Sequence, residues 1–147
     1  DFESGRQRFG AWSCYACHVN GGEGGAVGPY LTSVGGKFGG YDLIESIVDP
    51  GKEISDQYGS SIFSLSDGSQ LNGRIMNMRN NEYWINTDMM QPSTVTKVKA
   101  ENLASIEPST VSMMPPGLLN TMDKEDILDL MAYLIAGGKP DHQLFAK

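Results

Sequence analysis

The chain has 147 residues and a mass of 16.0 kDa, with 39% hydrophobic and 20% charged residues, a globular composition rather than a disordered or fibrous one. That length suits one domain of ordinary size or a small domain with an insert, and it buries enough surface to fold without disulfides. Eleven Lys and Arg, scattered along the sequence, against eighteen Asp and Glu give a net charge of −7 and a pI near 4.7, which argues against nucleic acid as the main partner. No run approaches the roughly 18 apolar residues of a membrane span, so none is expected in this chain. The sequence opens at Asp1 without a signal peptide or basic leader, which implies either a processed leader or a segment of a longer protein.

In chain order, Phe2 to Trp12 reads as a short helix, with Ser4 as a candidate N-cap and Phe9 and Trp12 on one face. Gly5 disfavours that helix and is explained if another helix crosses closely there. Next comes Cys14-Tyr15-Ala16-Cys17-His18, the only two cysteines of the chain, in the Cys-x-x-Cys-His attachment pattern of c-type haem. Two thiols three positions apart can form thioethers to the two vinyl groups on one porphyrin edge, and the adjacent His18 then reaches the iron. A thioredoxin-like pair would need a preceding βαβ pattern, for which 13 residues are too few. A structural zinc site needs further ligands, and the only other histidine is His142. A disulfide across two residues closes too short a loop to stabilise much.

Asn20 to Gly25 is too rich in glycine for regular structure and reads as a flexible loop leaving the haem edge. In Gly28-Pro29-Tyr30-Leu31, Pro29 stiffens the chain and has a carbonyl that could accept the Nδ1–H of His18; an ordinary loop proline is the alternative. Asp42 to Asp49 reads as a helix capped by Asp42, with Leu43, Ile44, Ile47 and Val48 apolar and Pro50-Gly51 stopping it.

From Tyr58 to Glu107 the hydrophobic period changes to 2. Strands are expected at Ser61–Leu65, Leu71–Met78, Glu82–Thr87, Thr94–Lys99 and Ala104–Glu107, with turns at Asp67-Gly68, Asn80-Asn81 and Pro92-Ser93. This is a β-meander inserted into a helical haem domain. It either packs beside the haem and lengthens a tether, or presents Tyr83, Trp84 and the Met89-Met90 turn to a dehydrogenase. Asp123 to Ala136 is the last helix, with acidic residues in its first turn and Ile127, Leu130, Met131 and Leu134 as a core stripe. Tyr133 and Leu134 are expected against the first helix or the haem.

The sixth iron ligand comes from eight methionines or His142. In Met113-Met114-Pro115-Pro116-Gly117 the residue before proline is held extended, so Met114 is a candidate thioether ligand. Met113 and His142 remain alternatives, and both methionines could instead be apolar filler.

The chain resembles a class I-like c-type cytochrome group, the haem-binding domain family associated with dehydrogenase-like propeller proteins. The resemblance rests on Gly5-x-x-x-Phe9 before the haem motif, Gly28 to Gly35, Leu43 to Pro50 followed by Lys52-Glu53-Ile54, and Ser112 to Leu119 with Asp129 to Leu134. Tyr30 stands where that family usually has an acidic residue. The resemblance implies a single domain over 1–147, a mainly α cytochrome c fold with the small antiparallel β-meander as an insert over 58–107, α+β overall. It also implies one covalent haem c held by Cys14, Cys17, His18, Pro29, Leu31 and Met114, with His18 and Met114 on the iron.

The expected function is single-electron transfer by a monohaem protein with no catalytic residues, in a periplasmic or extracytoplasmic setting where haem is attached. Its partner would be a redox protein, a fused or associated dehydrogenase among the candidates, presenting a basic patch to this acidic chain. The alternative is a haem domain that binds or senses CO or NO through an open or exchangeable sixth position. A purely structural thiol or metal module is the third class, and it lacks further ligands.

Overall fold

The computed structural model describes residues 1–11 and 13–146. Trp12, expected on the apolar face of the first helix, lies outside the described residues. The chain forms two compact units: residues 1–50 with 115–147, and residues 51–114. No helix among the described residues is long and apolar enough to cross a membrane.

The first unit holds the helices. α1 is Phe2–Ala11, α2 the single turn Cys14–Cys17, α3 Gly40–Val48 and α4 Lys124–Ile135. The start of α1 is capped by Asp1, whose Oδ1 accepts the Ser4 N–H at 2.9 Å, rather than by Ser4. α3 starts two residues before the expected Asp42. Asp42 instead sits in its first turn, with Oδ2 accepting the Gly39 N–H at 3.3 Å. Asp123 caps α4 by accepting the Asp126 N–H at 2.9 Å. The acidic first turn of α4 then offsets the positive end of the helix dipole.

α1 crosses α4 at Gly5, where a Cβ would fall on the Asp129 carbonyl oxygen and 2.7 Å from the Tyr133 Cβ. This close approach lets Phe2 and Phe9 pack on Tyr133 with ring centroids 5.5 and 5.6 Å apart. Phe9, Leu43, Met122, Leu130, Met131, Tyr133 and Leu134 form the buried core of this unit.

Between α2 and α3 the glycine-rich stretch is not a flexible loop. Val19–Asn20 (β1) and Glu23–Gly24 (β2) pair antiparallel, with Gly21 and Gly22 as the turn at φ 62° and 87°. Two successive positive φ values make the tight hairpin turn that glycine accepts without a Cβ penalty. The glycines that argued against regular structure are what allow it.

The second unit is a five-stranded antiparallel sheet: β3 Ser61–Leu65, β4 Gln70–Arg79, β5 Glu82–Asn86, β6 Thr96–Lys99 and β7 Leu103–Pro108. Its order is β6-β5-β4-β3-β7, so the first four strands meander and the last returns to pair with β3. Asn80 and Asn81 turn the β4–β5 hairpin at φ 52° and 60°. Gly68 at φ 86°, with Asp67 Oδ1 accepting the Ser69 N–H at 2.9 Å, turns β3 into β4. Phe63, Ile85 and Val98 are the buried centre of one sheet face.

The expectation of a mainly α cytochrome c fold with a small β insert is therefore corrected. The fold is α+β, 30% helical and 23% strand, with four α-helices and the five-stranded sheet. One of the helices is a single turn, and the sheet forms a compact unit with its own buried core. The strand positions follow from the period-2 pattern, whereas the closure of five strands over a core depends on packing that the pattern does not express.

Gly5→Ala tests the helix crossing. Overpacking against backbone should lower unfolding free energy by about 2–3 kcal/mol in urea denaturation. A loss below about 0.5 kcal/mol would contradict the close approach.

Candidate functional site

The candidate site starts at Ser13, whose φ of 67° turns the chain into α2. Within that one turn the His18 N–H donates to the Cys14 carbonyl at 2.9 Å. Cys14 and Cys17 thus lie three residues apart along one side of the turn. Cys14 packs against the helical core, and both cysteines are half-buried. Burial pushes both thiols above their ordinary value. Redox-active thiols of the thioredoxin type are lowered instead, so the electrostatics disfavour that alternative.

His18 leaves the turn with extended backbone, φ −115° and ψ 141°. Its Nδ1 lies 2.8 Å from the Pro29 carbonyl oxygen. A carbonyl only accepts, so Nδ1 carries the proton and donates. Burial lowers the His18 pKa, and the Pro29 bond offsets only part of this. The ring is therefore a neutral imidazole with its lone pair at Nε2, the tautomer a metal ligand needs.

Two backbone bonds bracket Pro29 and aim its carbonyl. The Gly28 N–H donates to Cys17 O at 2.7 Å, and the Leu31 N–H donates to Val19 O at 2.8 Å. Gly28 lies directly against the ring, since a Cβ there would sit 2.8 Å from His18 Cε1 and 3.0 Å from Nδ1. The β1–β2 hairpin presses on the turn from another side. Cβ atoms at Gly24 and Gly25 would fall on the His18 and Ala16 carbonyl oxygens. The Glu23 carboxylate ties that hairpin to α1 through Arg6 Nη2 at 3.0 and 3.1 Å. Sequence reading missed the steric roles of Gly24, Gly25 and Gly28. The available signal is the density of glycine beside the motif, which marks close backbone approach as well as flexibility.

The other expected residues are placed as follows. Leu31 is half-buried and packs against the helical core. Met122 and Met131 are core residues, 9% and 8% exposed. His142 caps the short C-terminal turn, its Nδ1 accepting the Leu144 N–H at 3.2 Å. Met113 and Met114 are half-buried, and the Met114 N–H donates to Ser112 Oγ at 3.1 Å. Met114 closes the second unit and Pro115 reopens the first.

Among the described residues, no group of three or more His, Cys, Asp and Glu side chains is arranged to hold a metal ion. Two open clefts of about 530 and 330 Å³ flank α1 and the hairpin, with the Arg6–Glu23 pair in the wall of both. Neither is lined by Cys14, Cys17 or His18, although Tyr15 of the same turn borders the first.

Gly28→Ala should push the imidazole off the Pro29 carbonyl. We expect a stability loss of about 1–3 kcal/mol and faster solvent exchange of the His18 Nδ1–H by NMR. An unchanged, protected Nδ1–H would show that the glycine does not set the contact. The chain matches no protein-family model and no curated protein sequence, so its function is read from the chemistry of these residues.

Proposed function

We propose that this chain is a monohaem c-type electron-transfer protein in which Cys14 and Cys17 hold the porphyrin and His18 is the proximal iron ligand. The observation that carries the reading is the 2.8 Å bond from His18 Nδ1–H to Pro29 O, next to two cysteines on one helical turn. The residues present fit a covalently held haem in three respects. The thiols share one side of the turn, the neutral imidazole keeps its lone pair at Nε2, and Gly28 leaves space for the ring. Tyr30, Phe38, Tyr41 and Val48 of the same unit are exposed, and a macrocycle would give such apolar side chains something to cover.

When bound, haem supplies a one-electron iron couple. The chain's own contribution is binding and tuning. Cys14 and Cys17 fix the ring edge, and the Pro29 carbonyl orients His18 and makes its imidazole a stronger donor. Glycine contacts on the Ala16 and His18 carbonyls keep the attachment turn from relaxing. No residue of the set makes or breaks bonds in a substrate.

Met114 is the proposed sixth ligand, on the strength of its place before Pro115-Pro116. The proposed setting is periplasmic or extracytoplasmic. The redox partner would meet the first unit, whose six Lys and Arg against eleven Asp and Glu favour a basic patch in return.

The holoprotein should show a weak near-infrared sulfur-to-iron band when oxidised and resist CO when reduced. Met114→Ala should abolish that band, admit CO and lower the reduction potential by on the order of 100 mV, while Met113→Ala changes none of these. High-spin ferric haem with rapid CO uptake in the unaltered protein would favour gas binding instead. Raising ionic strength should slow electron exchange with a basic partner, and a rate indifferent to salt would refute the charge pairing.

A further inference from the structure

Four of the eleven lysines and arginines scattered through the sequence are gathered by strand register onto one face of the sheet. Arg79 pairs with Glu82, which pairs with Lys99, and Asn77 pairs with Trp84, which pairs with Lys97. Directly opposed residues share a face, and alternate residues of one strand do too. The core face is the other one, because Tyr83 is opposite the buried Val98 and packs on Phe63 at 6.4 Å. Tyr83 is therefore turned away from the surface on which it was expected beside Trp84.

The outer face of β4, β5 and β6 thus carries Arg74, Arg79, Lys97 and Lys99, four of the chain's eleven basic residues, with Glu82 as its one acid. In a chain of net charge −7 that is a marked local reversal. Lysines on an edge strand also deter strand-to-strand aggregation, which accounts for Lys97 and Lys99 on β6. It does not account for Arg79, which stands two strands further in.

Trp84 lies at the centre of this face. Lys97 Nζ sits 4.4 Å over its ring, so that ring face is closed to a stacking nucleobase. Its indole Nε1–H is buried and has no acceptor. A buried donor without an acceptor is destabilising, and a carboxylate drawn to Lys97 would offset that cost. Lys99 is held only by an exposed contact to Glu101 at 3.7 Å, which another carboxylate can replace at little cost.

We propose that the outer face of β4–β5–β6, centred on Trp84 with Arg79, Lys97 and Lys99, docks an acidic segment of a partner protein. Charge complementarity selects the occupant, and the covered indole together with the chain's pI near 4.7 disfavours nucleic acid. The proposal is independent of haem and concerns a surface separate from the one meeting the basic redox partner.

The test titrates an acetylated octaglutamate peptide into the full chain at low ionic strength, by calorimetry and by the indole N–H resonance that Trp84→Phe removes. Saturable binding with a shift of that resonance is expected. Arg79→Glu, Lys97→Glu and Lys99→Glu should each weaken it about three- to tenfold, while Lys37→Glu in the other unit leaves it unchanged. Lys97→Gln and Lys99→Gln, which remove charge without adding repulsion, should also weaken it and serve if a reversal variant misfolds. No saturable binding, or an equal loss in Lys37→Glu, would overturn the proposal. So would tighter binding of an eight-nucleotide oligothymidylate, which would assign the face to nucleic acid.

Discussion

The hydrogen bond from His18 Nδ1 to the Pro29 carbonyl is the contact around which the first unit is organised at its chemical end. It determines which ring nitrogen carries the proton, and hence which one is available to a metal. Holding it at 2.8 Å requires several chain segments to converge. α2 must end at Cys17 so that His18 can turn out, and Gly28 must lack a side chain where the ring rests. Backbone bonds to Cys17 and Val19 on either side of Pro29 then leave its carbonyl little freedom. A histidine that is merely buried would be satisfied by any acceptor. Here two backbone bonds, two hairpin glycines and a third glycine under the ring all converge on one tautomer and one orientation.

The two units divide the physical work. The helical unit buries an aromatic and aliphatic core about the α1–α4 crossing and carries the Cys14–Cys17 turn with both cysteines half-buried. Its acidic surplus would suit the proposed basic partner. The sheet unit has a separate core around Phe63 and Ile85 and shows a basic face on the opposite side of its strands. One polypeptide therefore offers surfaces of opposite sign, a charge pattern that a single net figure of −7 conceals. The chain passes between the units at Met114-Pro115, so the proposed thioether ligand sits on backbone that proline keeps extended.

The sequence was legible wherever the controlling interaction is local. Cys14, Cys17 and His18 stand close along the chain, so their placement on one turn, with His18 just beyond it, is readable from spacing alone. The apolar stripe of α4 with Asp123 ahead of it, and the period of 2 through β3 and β5, follow from short-range rules. The errors came where long-range packing decides. Gly21 and Gly22 looked like looseness but form a tight turn, because positive φ is what a two-residue hairpin needs. Gly28 gave no sign of lying under an imidazole ten residues earlier. Arg79, Lys97 and Lys99 share a face only through cross-strand register, which spacing along the chain does not express. Alternation shows that strands exist but not that five of them close over a core of their own, which is why a mainly α fold is expected where the molecule is α+β.

The most direct measurement is mass analysis of the tryptic peptide from Phe9 to Lys37, taken from protein matured where haem is covalently attached. One haem added to that peptide, with Cys14 and Cys17 both refractory to alkylation, is the predicted result. An unmodified peptide in which both cysteines alkylate as ordinary thiols would contradict the account.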